Sequence, residues 1–83
     1  MQHEESSLIK VGDIVRVKLV TKNVAHICAE ISTNGPIHLG KNYLIDLENS
    51  NSFGLVLNCW DVMADVRISG KTYRLEKWNL IKI

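Results

Sequence analysis

Beyond the N-terminal residues 1–7, four histidine and cysteine side chains carry donor atoms that zinc prefers: His26, Cys28, His38 and Cys59. A tetrahedral site of two cysteines and two histidines would use all four. Structural zinc sites usually pair their ligands at C-x₂₋₄-C or H-x₃₋₅-H spacings, and neither spacing occurs here. His26 and Cys28, two positions apart on one predicted strand, would lie roughly 7 Å apart, too far for direct proton transfer. We therefore predict no metal site, no cofactor and no enzymatic activity.

The segment Gly70-Lys71-Thr72 matches the end of a phosphate-binding P-loop. That motif also requires a glycine five positions before Gly70, where this sequence has Asp65, and a helix after it. Because the segment lies between two alternating apolar runs, it is better explained as a hairpin turn between Ile68 and Tyr73.

The other candidates for function are aromatic and basic side chains, which bind partners. Tryptophan, tyrosine and arginine dominate the binding hot spots of protein interfaces, so we predict a partner-binding set of Trp60, Tyr73, Trp78 and Arg67. For a nucleic-acid partner the alternative set is Arg16, Lys18, Arg67 and Arg74, with the aromatic rings as stacking platforms. An ordinary solvated face, partly neutralised by nearby acids, explains the same charges without a partner.

Length and composition limit the choice of class. The 83 residues fit one domain, which we expect to span residues 8–83 after a flexible leader at residues 1–7. The net charge of +1 is too small to require a nucleic-acid partner. The chain has no apolar stretch of about 20 residues and no apolar signal segment, and its two cysteines are far apart, so we expect a cytoplasmic protein with reduced thiols.

Short alternating apolar runs predict a mostly β fold. The clearest strand has Val15, Val17 and Leu19 alternating with Arg16 and Lys18. Further strands are predicted at residues 24–32, 43–47, 54–60, 62–68, 73–75 and 80–83, with a helical turn at residues 76–79. Turn residues separate them at 33–36, and residues 48–52 form a polar loop that we expect to be flexible.

The opening segment Val11-Gly12-Asp13-Ile14-Val15-Arg16-Val17 resembles the first strand of SH3-like small β-barrels, including KOW and Tudor-type modules. The strands, hairpin and helical turn of the C-terminal half follow the order seen in that class, and the chain is also similar in style to small uncharacterised bacteriophage proteins. The segment from Ala25 to Leu47 is longer than a KOW unit needs. The resemblance implies a small barrel of five to seven short antiparallel strands, with one helical turn before the last strand.

Members of this fold class bind proteins, peptides, RNA or DNA, so the resemblance implies a binding module without naming its ligand. We expect a non-enzymatic protein-interaction module, a small regulator or inhibitor of a larger protein. The alternative is a KOW-like nucleic-acid-binding protein. The partner is expected to be another protein, with RNA or DNA as the alternative and no membrane. The sequence leaves both a monomer and a homodimer open.

Overall fold

The computed structural model describes residues 8–20 and 27–83. The predicted leader at residues 1–7 and the predicted strand residues 24–26 lie outside the described residues. The strands are β1 (Ile14–Val17), β2 (Cys28–Ser32), β3 (Gly35–His38), β4 (Phe53–Cys59), β5 (Met63–Ile68), β6 (Lys71–Glu76) and β7 (Leu80–Lys82). The helix α1 spans Lys41–Ser50, and a 3₁₀ turn spans Lys77–Asn79.

The seven strands form one antiparallel sheet in the order β3-β2-β6-β5-β4-β1-β7. The sheet is open, because among the described residues no pairing joins β3 to β7. The predicted class is confirmed: the fold is mostly β, its strands are short and antiparallel, and one helical turn precedes the last strand. No helix in the described part of the chain is long and apolar enough to cross a membrane.

One core cluster joins distant strands of this sheet. Leu80 of β7, Val15 of β1 and Cys28 of β2 all belong to it, although β7 and β2 stand five positions apart in the strand order. A flat sheet would hold these two strands about 24 Å apart, so the sheet must curve around its core. Leu44 of α1 is fully buried against the same cluster. We call the side of the sheet that faces this cluster the inner face and the opposite side the outer face.

The β5–β6 connection is a hairpin, as predicted, but its loop has two residues where a four-residue turn from Ser69 to Thr72 was predicted. Ile68 pairs with Lys71, which leaves Ser69 and Gly70 as the loop. Both loop residues have positive φ angles, 52° and 82°, as type I′ turns require. Lys71 and Thr72 begin the strand β6, so the segment lacks the helix that a P-loop requires.

The predicted strand at residues 43–47 is wrong, because this segment lies inside α1. The alternation of Tyr43, Ile45 and Leu47 is typical of a strand. In the structure Leu44 is buried and these three partly buried residues pack against the same core, and apolar residues at positions 43, 44 and 47 have the spacing of one helical face. The predicted flexible loop is also partly wrong. Residues 48–50 form the last turn of α1, and Asn51 ends the helix in the left-handed region with φ 59°.

The edge strand β3 contains Pro36. The amide of Leu39 donates to the carbonyl of Cys28, and alternation along the antiparallel pair then turns the backbone of Pro36 away from β2. A residue without an N–H group therefore costs the sheet no hydrogen bond at this position.

The side chain of Cys28 in β2 is buried in the core, whereas that of Ile27, just before the strand, is exposed.

A β-bulge in β4 decides which face its second half presents. Val56 pairs with Val66, but Asn58 pairs with Asp65, so Leu57 is the extra residue. If the side chains alternated strictly between the two faces from Phe53 onward, that of Cys59 would lie on the outer face and that of Trp60 on the inner face. The bulge reverses this alternation, and Cys59 joins the edge of the core.

Candidate partner-binding face

The sheet register brings apolar and basic side chains together on the outer face. Ile14 of β1 lies directly opposite Leu55 of β4, which lies directly opposite Arg67 of β5. In the next outer row, Arg16 lies opposite Phe53. Side chains directly opposite each other on antiparallel strands have Cβ atoms about 5 Å apart, so these five form one continuous surface.

Three of these side chains form what we call the apolar patch: Ile14, Phe53 and Leu55. Phe53 is 62% exposed, Ile14 is 43% exposed and Leu55 is 40% exposed. Ile83 extends the patch, since it is also exposed and its amide donates to the carbonyl of Ile14. Single exposed apolar residues are normal on protein surfaces, whereas contiguous ones are typical of interaction sites.

Basic side chains flank the apolar patch. Arg67 is exposed, and it has no ion-pair or hydrogen-bond partner among the described residues. Arg16 donates from Nη1 to Oδ1 of Asn51 at 2.6 Å, a neutral partner that leaves its charge uncompensated. Lys18 follows Arg16 at the same parity and is exposed. The cations beside the patch are therefore free to pair with a ligand.

Arg74 differs from these cations because it is held by a buried acid. Its Nε and Nη2 atoms donate to the two carboxylate oxygens of Asp65 at 2.8 Å and 3.2 Å. Hydrogen bonding to Asp65 raises the pKa of Arg74, which stays charged at all ordinary pH values. This cation is largely committed to its internal pair.

Trp60 packs on the same face beside this ion pair. The guanidinium carbon of Arg74 lies 4.7 Å from the Trp60 ring centroid, as in a cation–π contact. The indole remains 47% exposed. Lys77 fixes the backbone below it, because Nζ donates to the carbonyl of Trp60 at 2.7 Å. Trp60 thus has a positioned, half-open ring, as expected of an interaction residue.

The other two predicted aromatic residues are placed differently. Trp78 lies in the 3₁₀ turn and is 42% exposed. Tyr73 is only 3% exposed and points to the inner face, where its hydroxyl lies 3.0 Å from that of Tyr43. Its predicted role as an exposed platform does not hold, because the position belongs to the core.

An open cleft lies where the outer face meets α1. Its volume is about 240 Å³, and it is lined by Arg16, Val17, Lys18, Glu48, Asn51 and Ile81. The Oε2 atom of Glu48 accepts a hydrogen bond from the amide of Leu19 at 3.2 Å. Two cations and one engaged carboxylate give the cleft a positive balance beside the apolar patch.

The chain matches no known protein-family model, and neither the curated proteins nor the solved structures include a significant match.

The two cysteines occupy structural positions. Cys28 is buried, and burial raises the pKa of its thiol to about 11. The sulfur of Cys59 lies 3.2 Å from the carbonyl of Ile9, to which it donates. Within residues 8–20 and 27–83, no three His, Cys, Asp or Glu side chains cluster as metal ligands would, and His26 lies outside that part.

The strand register places the four residues predicted to bind nucleic acid on one face, whereas the four residues predicted to bind a protein partner do not share a face. Arg16, Lys18, Arg67 and Arg74 all have outer-face parity, whereas Tyr73 is internal and Trp78 lies outside the strands. Sequence reasoning missed the apolar patch. A signal was present, because β4 has apolar residues at both parities around Gly54, as a strand with two apolar faces would.

Proposed function

We propose that this protein is a non-enzymatic protein-interaction module that binds a larger protein through its outer face. One observation carries the proposal: Ile14, Phe53 and Leu55 are exposed side by side on the outer face of the paired strands β1 and β4. Burying apolar surface is favourable by about 25 cal/mol per Å², so a partner that covers the patch would gain this free energy.

Rigidity of the face also supports a binding role. The patch residues lie on paired strands, so their backbone positions are fixed before a partner arrives. A preorganised surface loses little conformational entropy on binding. Aromatic residues and arginine are both enriched at protein interfaces, and Phe53 lies opposite Arg16 on this face. A regulator or inhibitor needs no chemistry beyond such a surface.

We further propose that the protein is cytoplasmic and that its curved, open sheet is an SH3-like small barrel left unclosed between β3 and β7. Three features support the fold assignment. The strands β4, β5 and β6 form a meander, a 3₁₀ turn precedes β7, and β1 pairs with both β4 and β7. In this proposal β2, β3 and α1 are an insertion after β1. The two free cysteines support a reducing compartment.

The test is affinity capture from a lysate of the organism's own cells, with and without nuclease. The wild-type chain is compared with Phe53→Thr, which removes an exposed ring but keeps a residue suited to strands. Ile37→Thr is the matched control, because Ile37 is also exposed but lies on the edge strand β3. We expect a stoichiometric, nuclease-resistant protein that the control retains and Phe53→Thr loses. Equal capture by both variants would reject the outer face as the binding site.

A second candidate function is nucleic-acid binding, favoured by the shared face of Arg16, Lys18 and Arg67. Phe53 and Trp60 could stack on bases in this arrangement. Binding to a fluorescent single-stranded oligonucleotide, measured over a range of salt concentrations, tests it. Phosphate contacts predict a steep linear loss of log affinity with log salt. The absence of any binding at low salt would eliminate this candidate.

A further inference from the structure

We infer that the partner contributes an extended segment in which acidic side chains flank apolar ones, and that one carboxylate docks in the cleft beside Arg16 and Lys18. The inference rests on the proposed function and specifies the chemistry of its ligand.

The charge balance around the apolar patch is positive, because the nearby acids either pair with other cations or lie away from the patch. Asp65 is buried and paired with Arg74. Glu76, at outer-face parity, is buried, accepts the amide of Ile27 and lies four residues along the β5–β6 pair from the row of Arg67. Asp13, next to the patch along the chain, lies 3.5 Å from the ammonium group of Lys82.

Arg67 and Arg16 therefore present charges that the described acids do not neutralise. A basic partner segment would be repelled, and a purely apolar one would leave these charges without compensation. Complementary charges at such a rim select the partner and speed its association.

The spacing of the cations defines the length of the segment. Arg67 and Arg16 lie on either side of the apolar patch. Arg67 is on β5, in the same row as Ile14 of β1, and Arg16 is two residues beyond Ile14 along β1. Strand spacings of about 4.8 Å and a rise of about 3.4 Å per residue place their Cα atoms about 12 Å apart. An extended chain covers that distance in about four residues. The expected motif therefore has two acids about four positions apart with apolar residues between them.

The cleft supplies the donors for one of these acids. Arg16 uses Nη1 to hold Asn51, and its planar guanidinium has further N–H groups to donate. Lys18 adds a second cation on the cleft wall. Arginine binds a carboxylate through two parallel hydrogen bonds, which fix its orientation as well as adding affinity. The carboxylate of Glu48, which also lines the cleft, accepts a hydrogen bond from the amide of Leu19.

The experiment is selection of a random twelve-residue peptide library displayed on phage against the immobilised full chain. We expect enriched peptides to carry Asp or Glu about four positions apart around aromatic or aliphatic residues. Arg67→Glu tests the charge rule, because Arg67 makes no ion pair or side-chain hydrogen bond among the described residues. Lys41→Glu is the control with the same charge change, placed on α1 and away from the outer face. Circular dichroism melting of each variant verifies folding.

For a selected peptide, Arg67→Glu should weaken binding by about tenfold or more, and Lys41→Glu should leave it unchanged. Reselection on Arg67→Glu should replace one acid of the motif with Lys or Arg. Peptides that need Phe53 but carry no acidic preference would overturn this inference and leave the proposed function standing. If no peptide depends on Phe53, or only a single-stranded oligonucleotide control binds, both fail.

Discussion

Asp65 and Arg74 form a two-point ion pair between neighbouring strands, and the Trp60 ring covers the guanidinium group. The carboxylate is buried, whereas the arginine side chain is 38% exposed. The pair therefore joins a desolvated acid to a cation that still contacts water. Removing the Arg74 guanidinium and removing the Asp65 carboxylate should therefore lower the stability of the fold by different amounts.

Replacing Arg74 with methionine should destabilise the fold by about 2 kcal/mol, because it leaves the buried Asp65 carboxylate without its cation. Arg74→Met paired with Asp65→Asn should recover part of this loss, since no buried charge then remains. Urea unfolding of the four chains in the cycle measures the coupling. Additive losses would show that the two side chains do not depend on each other.

The hydroxyl pair of Tyr43 and Tyr73 should show a similar asymmetry. Tyr43→Phe removes the partner of a buried hydroxyl and should cost about 1–3 kcal/mol. Tyr73→Phe leaves a half-buried hydroxyl that water can reach, so it should cost less. Chemical denaturation of both single variants and the double variant provides the measurement. A larger cost for Tyr73→Phe would contradict this reading of the pair.

Gly54 should be the glycine most sensitive to substitution. A Cβ atom there would lie 2.8 Å from Cγ1 of Ile68 and would also collide with Val66. Gly54→Ala should therefore lower the free energy of unfolding by about 1–3 kcal/mol through overpacking. Gly40→Ala is the control, because its added carbon meets open space and its φ is −80°. Similar melting temperatures for the two variants would refute the packing argument.

Stability should fall with rising alkaline pH partly because of Cys28. Its pKa is raised by burial from 9.0 to about 11, so the unfolded chain loses this proton first. The stabilisation is complete below about pH 9 and is lost as pH rises through 11, at most about 2–3 kcal/mol. Cys28→Ala should flatten the decline in unfolding free energy between those pH values. An unchanged slope would assign the decline to other groups.

Much of the fold could be predicted because its turns carry strong local chemistry. Ser69-Gly70 sets a hairpin between two alternating runs, and the alternation of Val15 and Val17 with Arg16 marks β1. The helix α1 could not be predicted in the same way. Its apolar residues satisfy both a strand period and a helical period, and only tertiary burial of Leu44 distinguishes them.

The candidate site was only partly visible in the sequence, since it depends on pairing between distant strands. Arg67 and Arg16 were identifiable as cations, but their position around Leu55 and Phe53 follows from the register. The bulge at Leu57 also could not be predicted from the pattern, because one unpaired residue moves every later side chain of β4 to the opposite face of the sheet. Tyr73 was misplaced because aromatic residues serve cores as readily as interfaces.

The proline in β3 has a consequence for how copies of this chain can aggregate. A fibril grows by sheet extension only if every molecule offers two competent edges, one for each neighbour. At β3 the outward backbone lacks the donor of Pro36, so the ladder of a docking strand would be interrupted there. Replacing Pro36 would restore that donor and turn a terminating end of the sheet into a propagating one.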